Sequence, residues 1–84
     1  MVYLAITPQG LAEALRQGSL TGAAVWCGSD AISLQDYERA RPEQLSRFNY
    51  ELRNADRNTM IGAIQTIEEH HPNERIWVEA RAEA

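Results

Sequence analysis

Between Arg47 and Arg53 the chain alternates polar and apolar residues without a break, Arg-Phe-Asn-Tyr-Glu-Leu-Arg, and this period of two predicts a strand with one dry face. Successive side chains of a strand point to opposite faces, so Phe48, Tyr50 and Leu52 form the inward set and Arg47, Asn49, Glu51 and Arg53 the outward set. The reverse assignment buries the four polar side chains at a cost of several kcal/mol. The stretch therefore sets the parity against which every other strand is read.

The rest of the chain divides around it. Val2 to Ile6 is a short apolar run that suits a strand well inside a sheet. Thr7 then offers an N-cap and Pro8 a first helical position, Leu11, Ala14 and Leu15 make an apolar stripe, and Gly18 is the expected stop. Ala23 to Cys27 reads as a second strand, halted by Gly28-Ser29-Asp30. Ser33 caps a brief helix over Leu34 to about Ala40, with Asp36 as a capping partner and Pro42 as the interruption; a hairpin over Ala31 to Leu34 is the alternative. After the alternating stretch and a turn at 54–58, Met60, Ile61, Ile64 and Ile67 fall at helical offsets, with Gly62 among them as a point of close approach to the sheet. Pro72 ends this helix. Residues 75–80 alternate again as a last strand, and 81–84 are expected to fray.

Strand, helix, strand, short helix, strand, helix, strand is the order of an α+β, ferredoxin-like βαββαβ two-layer sandwich with a short extra helix between the second and third strands. The 84 residues suffice for one such domain. The competing architecture is a mostly parallel three-layer α/β miniature. Strands covered on both faces are dry on both, and the polar alternation at 47–53 argues against it.

In the ferredoxin-like sheet, parity places Val2, Leu4, Ile6, Ala23, Val25, Cys27, Ile76, Val78 and Ala80 under the helices. The uncovered face then carries Tyr3, Trp26 and Trp77 around the polar Asn49 and Glu51. Aromatic residues concentrate in interface cores, so this face predicts an interaction surface, with a second copy or another protein as partner. The loop 28–45 or the C-terminal tail folding over the rings is the alternative. A further possibility is an adaptor that adds its edge strand, Ala23 to Cys27, to a partner's sheet. Arg47-Phe48-Asn49-Tyr50 resembles the base-stacking strand of RNA-recognition motifs, but here the aromatics are needed inside and the signature glycine is missing.

Charge points the same way. Eight basic against twelve acidic residues give a net charge of −4, which repels nucleic acid and acidic membranes. All eight basic residues are arginine, so there is no amine for a Schiff base. The one cysteine, Cys27, excludes an intrachain disulfide and a multi-cysteine metal cluster. Met1 to Ile6 lacks a basic leader, no window approaches the ~20 apolar residues of a membrane span, and a cytoplasmic setting is expected.

Candidates for chemistry are sparse. Cys27, Ser29 and Asp30 put a thiol, a hydroxyl and a carboxylate where a strand runs into a loop, and they define a competing small-molecule or small-enzyme site; a small core residue followed by an Asp turn is the structural alternative. His70 and His71 are adjacent and diverge by about 100° on a helix, so a metal is not expected and capping of the helix end is. Thr7 to Gly10 and Asn54 to Thr59 are helix starts able to hold an anion, but neither is a phosphate loop, and capping is the expected role of both. The expectation is a non-enzymatic interaction or regulatory module without a cofactor.

Overall fold

A computed structural model of the chain describes residues 1–40 and 44–80. Its elements are β1 (Val2–Ala5), α1 (Pro8–Thr21), β2 (Ala24–Cys27), α2 (Leu34–Ala40), β3 (Leu45–Arg47), α3 (Arg57–His70) and β4 (Ile76–Val78). The four strands form one sheet in the order β3-β2-β1-β4, and every neighbouring pair is parallel.

The ferredoxin-like expectation is thereby corrected. That sandwich needs antiparallel neighbours, whereas here each strand is returned to the same end of the sheet by a helix. Parallel pairing requires such a crossover, and right-handed crossovers fix the sides. The chain steps from β1 to β2 to β3 in one direction and then runs back past both to β4, so α3 lies on the face opposite α1 and α2.

Two cores follow. Val2, Leu4 and Ile6 meet Phe48, Leu52, Ala63 and Ile67 on the α3 side. Ala5, Val25, Cys27 and Leu45 meet Leu11, Ala14 and Ala31 on the α1 side, with Tyr3 and Tyr37 packed against them. Burying Leu4, Ile6 or Ile67 contributes about 1.5–3 kcal/mol each.

The alternating stretch itself leaves the sheet. Only Leu45–Arg47 is strand, and the chain from Phe48 to Asp56 is a loop. Its pattern nonetheless records burial: Phe48 and Leu52 enter the α3-side core, while Asn49, Glu51 and Arg53 are exposed and Tyr50 is at the margin. The three longer-range strands carry Val-Tyr-Leu-Ala, Ala-Val-Trp-Cys and Ile-Trp-Val, apolar on both faces as a covered parallel sheet demands. Only Arg47 of the 47–53 stretch belongs to a strand, so its polar alternation does not describe a sheet face.

Local signals mostly hold. Thr7 Oγ1 accepts from the Gly10 amide at 3.0 Å, with Pro8 the first residue of α1. The Ser33 hydroxyl accepts from the Asp36 amide at 3.0 Å and opens α2 as expected. Asp56 caps α3 through the Thr59 amide at 2.7 Å. Gly18 does not stop α1; the stop is Gly22, in the left-handed region at φ 77°, whose amide donates to Gly18 O at 2.7 Å. Gly18 is instead buried where α1 approaches β2, since a Cβ there would lie 2.9 Å from Ala23 O. Gly62 makes no such approach: a Cβ at that position meets nothing within 4 Å. The expected interruption at Pro42 and the expected fraying of 81–84 fall outside the described residues.

Candidate functional site

A parallel sheet gathers the C-terminal ends of its strands and the N-termini of the following helices at one end. At that end Glu79, one residue past β4, reaches the start of α1. Its Oε1 accepts from the amides of Ile6 at 2.8 Å and Thr7 at 3.0 Å, and its Oε2 from the Thr7 hydroxyl at 2.6 Å. The carboxylate thus satisfies main-chain N–H groups just ahead of α1 and sits at the positive end of the helix dipole. Gly10 makes the room, because a Cβ there would overlap the carboxylate. From the sequence Thr7 to Gly10 reads as a helix cap first and an anion holder second, and nothing local chooses Glu79 among the acidic residues. Parallel pairing of β1 and β4 is what brings them together.

Below this carboxylate an open cleft of about 200 Å³ runs between α1 and the β1–β4 side of the sheet. Its walls are almost wholly apolar: Tyr3, Ala5, Ala14, Trp77 and Val78, with Gln17 at the far end. Register explains the company. Tyr3 pairs with Trp77, so both rings stand on the α1 side, yet no helix covers β4 on that side among the described residues. Trp77 is 51 % exposed and Val78 42 %.

Trp26 is not in this group. Its partner in register is Leu4, which puts it on the α3 side. There its Nε1 donates to His71 Nε2 at 3.2 Å, and its ring lies 5.2 Å from that of Phe48 and 5.4 Å from that of His70. The parity assumed from the sequence is shifted by one residue in β2, and one residue is enough to reverse a strand's faces. Asn49 and Glu51 are exposed on the loop that leaves β3, the strand at the opposite edge from Trp77. Of the five residues expected on one surface, the fold brings together Tyr3 and Trp77.

The Cys27–Asp30 turn is braced rather than open. Asp30 accepts from the amides of Leu52 at 3.1 Å and Arg53 at 3.0 Å, Ser29 N donates to Tyr50 O at 2.9 Å, and Arg47 reaches the carbonyls of Ile32 and Ser29. These bonds dock the loop after β3 onto the end of β2. Cys27 is fully buried, and desolvation pushes its thiol from 9.0 up to about 11, with Arg47 opposing and Asp30 adding to the rise. A thiol held neutral is a poor nucleophile.

A raised acid pKa favours the folded state below the unfolded value and loses that stabilisation as pH climbs toward the folded one. The stability difference between wild type and Cys27→Ala, measured by urea unfolding, is therefore flat up to about pH 9 and shrinks by about 2–3 kcal/mol toward pH 11. A thiol reagent at pH 8 leaves the native chain unmodified and labels it in denaturant.

His70 Nδ1 lies 2.9 Å from Thr66 O, and the His71 amide donates to Ile67 O at 2.9 Å, so both residues close the end of α3. His71 Nδ1 faces Glu74 at 3.4 Å, and Glu74 also holds the N-terminal ammonium. Among the described residues no three His, Cys, Asp or Glu side chains lie close enough to hold a metal ion. Likewise no described helix is long and apolar enough to cross a membrane.

The class these features define is a small doubly wound α/β domain with its topological switch point between β1 and β4. No family model, curated protein or solved structure matches this chain.

Proposed function

We propose that the chain is a non-enzymatic interaction module whose contact surface is the Tyr3–Trp77 side of the sheet together with the exposed β4. The observation that carries this reading is a half-exposed tryptophan on an edge strand beside an apolar cleft. Tryptophan is the residue most enriched among binding hot spots, and a large ring beside a hollow is how such spots are built.

The chemistry around the cleft supports binding over catalysis. In doubly wound domains ligands enter at the switch point and phosphates rest on a helix N-terminus. Here that position holds the chain's own Glu79 carboxylate, and Thr7-Pro8-Gln9-Gly10 lacks the glycine spacing of a dinucleotide loop. Any phosphate must displace an anion already hydrogen-bonded there. The carboxylate of Asp30 is likewise committed to main-chain amides, and the Cys27 thiol is buried.

A photo-crosslinking residue placed at Trp77, compared with one at the exposed Gln35 of α2, tests the reading in the purified chain and in its native cells. Protein adducts form from position 77, with the same chain or another, and not from position 35. Adducts that are equal at the two positions, or that form at 77 with small molecules alone, refute it.

A further inference from the structure

We infer that the partner is a second copy of this chain, paired antiparallel through β4 about a two-fold axis at Trp77; the inference rests on the interaction reading above and specifies its geometry. In a parallel ladder alternate residues of a strand turn their main-chain groups to one neighbour. Val2 N donates to Arg75 O at 2.9 Å and Glu79 N to Leu4 O at 2.9 Å, so Arg75, Trp77 and Glu79 face β1. The amides and carbonyls of Ile76 and Val78 consequently point out of the sheet.

The two edges of the sheet are treated differently. At β3 the outward carbonyl of Leu45 accepts from the Tyr37 hydroxyl of α2 at 3.3 Å, so that edge has at least one outward group occupied, and the Arg47 side chain folds back onto the turn after β2. At β4 no described residue pairs with the outer side. Exposed edges are ordinarily blunted by shortness, proline, lysine, a bulge or an inward charge; β4 is short at three residues, but Ile76-Trp77-Val78 carries none of the other devices.

The sequence of this edge matches itself when reversed. Read outward from Trp77, Arg75-Ile76-Trp77-Val78-Glu79 places an aliphatic residue on each side and then opposite charges. Antiparallel pairing about Trp77 sets Ile76 across from the partner's Val78, as hydrogen-bonded pairs that use the outward groups. Trp77 meets its own copy in a non-hydrogen-bonded pair, where side chains approach most closely. Both rings then stand on the α1 side and close the two clefts toward each other. Arg75 falls opposite the partner's Glu79.

That charge pairing is available in each protomer. Arg75 is exposed and makes no ion pair among the described residues. Glu79 uses Oε1 for two amides and Oε2 for the Thr7 hydroxyl, and a carboxylate has about four acceptor directions, which leaves Oε2 able to take another donor. The interface is isologous, closes on two copies, and continues the sheet across both.

The test combines sedimentation with amide exchange read at single residues on the purified chain. A dimer forms with rising concentration, the amides of Ile76 and Val78 become protected with it, and Arg75→Glu weakens association by roughly tenfold or more while Arg75→Lys retains it. The thermal melt of the monomeric Arg75→Glu chain stays that of wild-type monomer, since the Arg75 side chain is exposed. A monomer at every concentration overturns the inference, as does a dimer whose Ile76 and Val78 amides still exchange freely or which ignores Arg75→Glu. In those cases crosslinks from position 77 to another chain, or to a copy stacked face to face, leave the interaction reading standing; their absence removes both.

Discussion

Glu79→Ala lowers the unfolding free energy by about 2–3 kcal/mol in urea titrations, because two main-chain amides and a hydroxyl lose a charged acceptor. Gly10→Ala costs about 2 kcal/mol: the new methyl evicts the same carboxylate, and helix propensity returns about 0.5–1 kcal/mol. The two changes are not additive. The three atoms nearest a Gly10 Cβ all belong to Glu79, so in the Glu79→Ala background Gly10→Ala is expected to be stabilising by about 0.5–1 kcal/mol, a coupling of about 2–3 kcal/mol across the cycle. Additive effects would mean that Glu79 and Gly10 do not share the start of α1.

Leu52→Ala lowers stability by about 3–4 kcal/mol, and the melting temperature of a chain this short falls by roughly 12–32 °C. Leu52 has no exposed surface and packs with Phe48, Leu4, Ile6 and Ile67 beneath α3, so its removal leaves a cavity that the surrounding elements cannot collapse into. Glu51→Ala, one residue away and exposed, changes the melt by less than about 0.5 kcal/mol of stability. Equal effects at 51 and 52 would remove the assignment of this loop as a core-forming segment.

Leu52 also shows how far the pattern at 47–53 can be trusted. Alternation reports which residues are dry, and Phe48 and Leu52 are dry. It does not report that the backbone is in a ladder: this loop is pinned by Asp30 and Ser29, and its side chains alternate because one side of it faces α3. Strand length compounds the ambiguity. The strands of this sheet are three or four residues long, too short for an internal period to separate one dry face from two.

The candidate surface was legible in its residue types and not in its assembly. Tyr3 and Trp77 share a face because they are partners in the β1–β4 register. Trp26 was assigned to the same face and is on the other, tied to His71, because the register between β1 and β2 is a long-range property. The adaptor alternative has its edge at Ala23 to Cys27, but β2 is flanked by β1 and β3; the edge strands are β3 and β4, and among the described residues β4 has no partner on its outer side.

The helices are written in the sequence itself: Thr7-Pro8 and Ser33 open two of them, the Met60–Ile67 spacing marks a third, and short apolar stretches mark β1, β2 and β4 but not β3. Caps and periodicities act over a few residues, so a few residues suffice to specify them. Parallel pairing, the strand order and the side taken by α3 were decided only in the tertiary structure. They depend on how crossovers of fixed hand bury the dry faces of several elements at once, and no local stretch encodes that. The segment at 47–53 lies between the two: its burial is local information, and its departure from the sheet is settled by hydrogen bonds to a turn more than twenty residues earlier.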